Sequence, residues 1–425
     1  MGFINKIVTT QLFRVSSLNA VSVLVRIAGG VLASKVIAVF IGPSGIALVE
    51  NLRNFLSTIE TFSTLGFQNG VIKYVAENEK EEAKLQKILN TVFISIVLTV
   101  TVLSLLLLSL AYYLNKYVLD TDNDYAWVFR VLAIALPLYA GNLILVAVLN
   151  GLGKFKQVIY LNIWGNIFGV LLSAVLIWQF KVAGAFLGLI ASPSLLFLYS
   201  FYLVRKRFFG VSLFKRKYFD FGILKGLFSY SLMAVVTAIA SPFVHISIRN
   251  TISNDFGENE AGYWSAITRI AVFYLLFIST LLTIYFLPNL SLSKTKKNTK
   301  AVFVMYYKLI IPLFILGATI VYFLRDFIIR LLFSEEFLPM KELFFWQLLG
   351  DFFKVCGLIL AYQFLAKKLT KAFIVSEILS FTILYFLSMY WINIYGSEGA
   401  VMAHAATHFI YLIGLIIYFR KTLTN

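Results

Sequence analysis

The amino-acid sequence predicts an all-α polytopic membrane protein with about twelve transmembrane helices. Two observations carry this prediction: 60% of the 425 residues are hydrophobic and only 13% are charged, whereas about 25% are charged in a typical soluble domain. The mean hydropathy is +0.86. Because 41 Phe and 23 Tyr need lipid or a very large core to cover them, the composition excludes a water-soluble enzyme, a disordered chain and a fibrous protein.

Apolar segments of the length needed to cross a membrane, about 20 residues, recur along the chain. Three charged residues interrupt the second of these segments, so its prediction as a crossing has the least support from composition. The longest polar stretch, between Arg205 and Lys225, divides the chain near its middle. We therefore expect an N-terminal six-helix lobe over residues 1–210 and a C-terminal six-helix lobe over residues 211–425. The segments lie near residues 17–40, 45–68, 89–114, 127–149, 157–179 and 183–204, then 227–250, 263–288, 302–323, 342–365, 371–393 and 398–419.

The net charge of +17 has two interpretations, a nucleic-acid partner or the accumulation of Lys and Arg in cytoplasmic loops. With twelve crossings, the cationic groups around Lys6, Lys84, Lys217 and Lys296 all fall on one side, and Asp120 falls on the other. This alternation favours the second interpretation. It places both termini on the cytoplasmic side of the membrane, with the lipid bilayer as partner and no nucleic acid.

Several chemistries find no support in the sequence. One Cys excludes a disulfide framework, and three His without zinc-site spacing argue against a metal. A Walker A pattern is missing, so ATP is not the direct energy source. The first apolar run is a full span without a cleavage site, so we expect no cleavable signal peptide. Because no loop is long enough for a folded domain, we expect no enzyme and no cofactor, and a function inside the bilayer.

We single out ten ionisable residues within the predicted spans, where each charge costs about 2.5–3.5 kcal/mol. Six are basic and four are acidic, so the balance is positive. One His, at position 245, precedes a basic residue by one helical turn and either couples a proton or is an ordinary core residue. The ten residues are Arg26, Lys35, Arg53, Arg249, Arg269 and Lys354, with Glu50, Glu60, Asp351 and Glu377.

Helical spacing groups some of these charges into stripes. Glu50, Arg53 and Glu60 share one face of the second span, and Asp351 and Lys354 share one face of the tenth. One interpretation is a water-filled cationic cavity that receives an anion. The other is that Glu50 with Arg53, and Asp351 with Lys354, form structural ion pairs. The sequence leaves both interpretations open.

Four segments of the sequence resemble a known family. They are Gly42–Gly45 (GPSG), Glu50–Arg53 (ENLR), Gly70–Ala76 (GVIKYVA) and Trp346–Lys354 (WQLLGDFFK). They are similar to segments of the Wzx-type flippases for O-antigen and enterobacterial common antigen precursors. These flippases belong to the polysaccharide transporters of the multidrug/oligosaccharidyl-lipid/polysaccharide exporter superfamily. The resemblance runs over essentially the whole chain.

The resemblance implies two six-helix lobes in a V shape that open alternately to each side of the membrane. It also implies that the substrate is an undecaprenyl-pyrophosphate-linked oligosaccharide, passed to the periplasmic leaflet close to a glycan polymerase and a chain-length regulator. Motif position assigns Arg53 and Lys354, with Asp351 as partner, to the pyrophosphate. Arg26 and Arg249 follow with less support from the motifs.

Two other functions remain as alternatives, one within the same superfamily and one from a different class. A cation-coupled multidrug exporter of the same superfamily would favour an acidic cavity, whereas the balance here is positive. A membrane glycan polymerase or ligase would be expected to carry a sizeable periplasmic loop with catalytic residues.

Arg269 lies about two turns inside the eighth span and is a further candidate for binding the anion. Candidates for ion coupling or ion pairing are Glu50, Glu60, Glu377 and His245.

Overall fold

The computed structural model describes residues 11–121, 123–208, 215–286, 290, 293, 296–367 and 369–423, and every regular element in these ranges is helical. The predicted all-α membrane fold is confirmed. Lys6, which the topology prediction uses, lies outside the described residues, as do the loop residues Asp122, Lys294 and Lys368. The chain separates into two compact units.

The first unit consists of Met1–Phe40 and Leu52–Ala238. Its short helix α2 packs against α5, and α5 packs against α6. In chain order its helices are α1 (Gln11–Ser63), α2 (Gln68–Glu77), α3 (Glu82–Ser109), α4 (Ala111–Leu114) with a following π-helical turn (Asn115–Leu119), α5 (Ala126–Gly151), α6 (Phe155–Phe208) and the first part of α7 (Phe221–Phe256).

The second unit consists of Ile41–Asn51 and Ile239–Asn425. Helix α11 lies at its centre and packs against α13, α9 and α8, and α13 also packs against α12. Its helices are the remainder of α7, then α8 (Glu258–Leu281) with a π-helical turn (Leu282–Phe286), α9 (Lys296–Phe323), α10 (Arg325–Leu332), a 3-10 helix (Glu335–Leu343), α11 (Phe344–Ala366), α12 (Thr370–Tyr395) and α13 (Ser397–Leu423).

The two compact units are not continuous stretches of the chain, and the expected lobe boundary after residue 210 stays a prediction. The first part of α7, up to Ala238, packs with the first unit, and the remainder of α7 packs with the second. Residues 41–51 of α1 also pack with the second unit, whereas the residues on either side of them pack with the first. Linker composition alone does not indicate which unit each segment of α1 and α7 packs with, because this depends on the contacts that the helices make.

Ten helices of the described chain are long and apolar enough to cross a membrane. Two of them are much longer than the rest, because α1 has 53 residues and α6 has 54, more than twice the roughly 20 residues of one crossing. Each contains a non-helical residue, Gly42 in α1 and Lys181 in α6. Divided there, each supplies two crossings, so the described chain matches the twelve predicted.

The two breaks differ in their chemistry. Gly42 has φ +78°, a backbone conformation that glycine adopts without steric cost, and Pro43 follows it. Lys181 adopts φ +53° although it carries a Cβ, which is uncommon for a residue of its type. Its ammonium group lies 5.0 Å from the centre of the Phe40 ring. This cation–π contact contributes to holding the second break in place.

The outer faces of the helices are apolar. Ile134 of α5 is 75% exposed and Phe323 of α9 is 76% exposed. Such large apolar side chains occur along most of the long helices, which in water would be an exposed patch far above that of a soluble monomer. The fold therefore requires hydrocarbon around it.

Candidate functional site

Arg249 of α7 is a densely bonded cation inside the second unit. Its side chain is 2% exposed. Its Nε donates to Oγ of Ser265 at 2.6 Å, and its Nη1 donates to Oδ1 of Asn51 at 2.6 Å. The guanidinium also lies 5.1 Å from the centre of the Trp264 ring. A buried cation is tolerated when hydrogen bonds replace its water, and Arg249 meets this condition.

Two polar residues of α1 complete this cluster. Asn51 donates from Nδ2 to Oδ1 of Asn250 at 2.7 Å, so its amide both accepts and donates. Glu50 accepts a hydrogen bond from Nη1 of Arg269 at 2.6 Å, and both side chains are largely buried. The sequence left open an ion pair between Glu50 and Arg53. The structure brings Glu50 to Arg269, a residue 219 positions away.

Close backbone packing supports the same contacts. A Cβ on Gly262 of α8 would lie 2.2 Å from the carbonyl oxygen of Pro43. Glycine is therefore required for α8 to approach the segment that follows the break at Gly42. In this way the residues 41–51 are held by one tight backbone contact and by the polar contacts of Glu50 and Asn51.

A second polar cluster surrounds Asp351 of α11, which is fully buried. Nε2 of Gln347 donates to its Oδ2 at 2.9 Å, and the hydroxyl of Tyr274 also donates to Oδ2. Nε2 of His404 lies 3.0 Å from Oδ1. Three helices of one unit thus contribute donors to one carboxylate, and this arrangement satisfies a charge that would otherwise be costly.

Other expected residues of the second unit lie around this cluster. Lys354, one turn after Asp351, interacts electrostatically with Asp351 and with Glu377 of α12. His245 donates from Nδ1 to the carbonyl oxygen of Ser241 at 2.7 Å and stacks on Trp264, as an ordinary core histidine would. A role in proton coupling for His245 stays a prediction.

In the first unit, the expected residues lie apart from one another along α1. The side chains of Arg26 and Arg53 are exposed. Glu60 accepts a hydrogen bond from the buried hydroxyl of Tyr139 on α5 and interacts electrostatically with Arg53. Exposed guanidinium groups can approach a ligand, so Arg26 and Arg53 remain the most accessible of the expected cations in this unit.

Sequence reasoning missed the neutral partners of these charges. Asn51, Ser265, Tyr139 and Tyr274 each bond an expected ionisable residue, and the sequence assigned a role to none of them. His404, which bonds Asp351, lies four residues before His408, and this spacing indicated only a possible metal pair without a third ligand. In the part of the chain that the structure describes, no three His, Cys, Asp or Glu residues are grouped as a metal site would require.

A family model described as "Polysaccharide biosynthesis protein" matches residues 14–294, which is well over half of the chain. The chain belongs to this family. The Lipid III flippase of Escherichia coli (strain K12) and that of Shigella flexneri are each 30% identical to it over 414 residues. These alignments cover 97% of this chain and 99% of each relative. The resemblance noted in the sequence is therefore confirmed.

Solved structures place this chain in a known fold. It is similar to the Lipid II flippase MurJ in an inward closed conformation, with a TM-score of 0.76 and 18% identity over 97% of this chain and 89% of that one. It is also similar to an inward-facing MATE family transporter of the MOP superfamily, with a TM-score of 0.80 and 12% identity over 95% and 98%. At these identities the likeness shows the transporter fold.

Proposed function

We propose that this protein is a flippase that moves an undecaprenyl-pyrophosphate-linked oligosaccharide, an O-antigen or related repeat unit. It carries this lipid from the cytoplasmic to the periplasmic leaflet of the bacterial inner membrane by alternating access. The observation that carries the proposal is the 30% identity to the Lipid III flippase of E. coli over nearly the whole of both chains. The fold shared with the Lipid II flippase MurJ supports it.

The chemistry of such a substrate explains why a membrane protein keeps intramembrane cations. A diphosphate is strongly hydrated, and its transfer into hydrocarbon carries a large desolvation cost. Guanidinium groups offset this cost through paired, charge-assisted hydrogen bonds to phosphate oxygens. The polyprenyl tail needs no such help, because it stays in lipid throughout the movement.

The accessible cations are the first contacts that we assign to the diphosphate. Arg26 and Arg53 have exposed side chains, and Lys354 is partly exposed beside the Asp351 cluster. Arg249 and Arg269 already donate to Asn51 and Glu50. To bind substrate, these two arginines would exchange their protein acceptors for phosphate oxygens during the transport cycle.

Energy for the cycle comes from substrate supply, an ion gradient or both. Glu60 and Glu377 are two partly buried carboxylates that an ion-coupled cycle could protonate, and His245 is a partly buried imidazole that it could protonate. Both termini are assigned to the cytoplasm by the distribution of Lys and Arg. A glycan polymerase and a chain-length regulator are the proteins we expect to act next on the translocated substrate.

Reconstitution of the purified chain into lipid vesicles tests the proposal. The vesicles carry a polyprenyl-diphosphate-linked oligosaccharide in the inner leaflet, and a sugar-modifying enzyme added outside reports the glycan that reaches the outer leaflet. We expect modification to rise far above that of vesicles without protein. Export of a lipophilic cation with no glycolipid movement would instead indicate the multidrug exporter, and a longer glycan on mass spectrometry would indicate a polymerase.

A further inference from the structure

The first unit contains a cavity of about 320 Å³ that is separate from the charged clusters. It lies where the start of α2, the second half of α5 and both halves of α6 come together. Its lining carries six side-chain amides, those of Gln68, Asn69, Asn142, Asn150, Asn162 and Asn166, together with the hydroxyl of Ser192. We call it the amide cavity. The other described residues of its lining are aliphatic, Gly or Pro, and none of them is charged.

Tight helix packing builds the walls of the amide cavity. Gly151 allows α5 to approach the carbonyl oxygen of Ile72 on α2, because a Cβ there would lie 2.9 Å from it. Gly165 and Gly169 let the first half of α6 approach Leu196 and Ser192 of the second half. Small residues commonly allow such close approaches between membrane helices. The cavity is thus a fixed part of the packing of this unit.

The amides of the cavity have few partners within the protein. Among the described residues, the side chains of Gln68, Asn69, Asn150 and Asn162 make no hydrogen bond to another protein group. Asn166 does make one, from its Nδ2 to the carbonyl oxygen of Asn162 at 2.6 Å. A membrane unit therefore maintains four amide groups, each with two donors and an acceptor, that the described part of its fold does not use.

Asn142 is the most informative of these amides because it is only 5% exposed. Its Oδ1 is buried and has no hydrogen-bond partner in the described structure. A buried amide oxygen left in this state costs roughly 1–3 kcal/mol, a cost that a Leu at this position would avoid. An unpartnered amide on the wall of a polar cavity points to a ligand that supplies the missing hydrogen bond.

We infer that the amide cavity is a binding site for an uncharged sugar ring of the transported glycan. This inference rests on the proposed function and names the part of the substrate that the cations do not bind. Amide groups both donate and accept, and so match neighbouring hydroxyl and acetamido groups of a pyranose, each of which does the same. The aliphatic lining residues Ile72, Val146 and Leu196 face the C–H groups of the ring.

The same features exclude the other parts of the substrate. The diphosphate would need a cationic partner, and the lining residues that the structure describes include no charged one. An acyl or polyprenyl chain would offer no hydrogen bond to the amides that lack a partner within the described protein. The volume is at the lower end of the range of about 300–1,000 Å³ for small-molecule sites, so the site holds one or two sugar rings and not a whole repeat unit.

A binding experiment on the full-length chain tests this inference without requiring transport. The protein is placed in lipid nanodiscs prepared without glycoside detergents, and saturation-transfer NMR measures the binding of methyl glycosides of glucose and N-acetylglucosamine. We expect both to bind and inorganic diphosphate not to displace them. The substitutions Asn142→Leu and Asn162→Leu should each weaken binding by roughly two- to tenfold, and the double substitution should abolish it.

Two controls separate a lost site from a lost fold. Asn393→Leu replaces an exposed amide at the end of α12 in the second unit and should leave glycoside binding unchanged. Because Asn142 is buried, Asn162→Leu is the variant that decides the case if Asn142→Leu lowers the thermal unfolding temperature. Unchanged glycoside binding in Asn162→Leu and in the double substitution would overturn the inference.

The vesicle assay distinguishes this inference from the proposed function. If the wild-type chain translocates the lipid-linked oligosaccharide but binds no neutral glycoside, the cavity is not a sugar site and the flippase proposal stands. If glycosides bind and the Asn162→Leu substitution weakens their binding, but no glycolipid is translocated, the sugar site stands and the flippase proposal fails. Competition of diphosphate with the glycosides would overturn the assignment to an uncharged ring.

Discussion

The guanidinium of Arg249 donates to Oδ1 of Asn51 at 2.6 Å, a bond between residues 198 positions apart. Asn51 lies in the part of α1 that packs with the second unit, and Leu52, the next residue, packs with the first. Beside this bond, Glu50 pairs with Arg269. Two consecutive residues of α1 therefore each hold one buried arginine.

The first prediction concerns the coupling between Asn51 and Arg249. A hydrogen bond to a charged group contributes about 1.5–3 kcal/mol. In a double-mutant cycle of Asn51→Ala and Arg249→Ala, the two substitutions should together cost less than the sum of their separate costs by about this amount. Thermal and denaturant unfolding in detergent, followed by Trp fluorescence, measure the free energy of unfolding.

The matched control for this cycle is Arg130, an exposed arginine of α5. Arg130→Ala with Asn51→Ala should give additive costs, because the two residues belong to different units. Additive costs for Asn51 and Arg249 as well would show that the bond between them contributes nothing to stability.

The second prediction concerns the ion pair of Glu50 and Arg269. Removal of one partner of a buried pair leaves an uncompensated charge and typically costs about 3–5 kcal/mol. Glu50→Leu and Arg269→Met should therefore each destabilise the protein strongly. The free energy of unfolding of the double variant should be closer to that of the wild type than either single variant's is, because no unpaired charge is then left buried. A double variant less stable than both singles would contradict this account.

Much of the fold could be predicted because the positions of membrane helices follow from local sequence. Apolar runs of the required length give the crossings, and the break in α1 falls at Gly42, where Gly-Pro interrupts the helix. The exchange of residues 41–51 into the second unit could not be predicted in this way. It depends on the fit between Gly262 and the backbone of Pro43, which is a contact between distant parts of the chain.

The candidate site also contains residues that could be predicted from local sequence and residues that could not. Charged residues inside spans are conspicuous because of their cost, so Arg249, Arg269 and Asp351 could be named in advance. Their partners are neutral or distant residues such as Asn51 and Tyr274, which no local rule selects. The amides of the amide cavity had one overlooked signal, the spacing of four residues between Asn162 and Asn166, which places both on one helix face.

The third prediction concerns Arg53, the exposed arginine that we assign to the diphosphate. Arg53→Gln should lower glycolipid translocation by about 10- to 100-fold, the loss expected for charge-assisted hydrogen bonds. Arg53→Lys should retain part of the activity, since it keeps the charge and loses the paired geometry. Arg130→Gln is the control and should transport as the wild type does. Equal rates in the vesicle assay for Arg53→Gln and Arg130→Gln would remove Arg53 from the site.

The fourth prediction uses two glycines of the second unit that differ in their surroundings. A Cβ at Gly262 would lie 2.2 Å from the carbonyl oxygen of Pro43, whereas no described atom lies within 4 Å of one at Gly317. Gly262→Ala must therefore push α8 away from the residues that carry Glu50 and Asn51. Its cost should exceed the roughly 1–3 kcal/mol usual for overpacking, because backbone atoms, and not a flexible side chain, must move.

Gly317→Ala lies inside α9 and should be neutral or stabilising by about 0.5–1 kcal/mol, since alanine is the better helix former. Unfolding temperatures of the two variants, measured side by side in the same detergent, give the comparison. Gly262→Ala should also weaken the coupling between Glu50 and Arg269, because Arg269 lies on α8 and the same shift lengthens their ion pair. A Gly262→Ala protein as stable as Gly317→Ala, with that coupling intact, would mean that this backbone contact does not hold residues 41–51 in place.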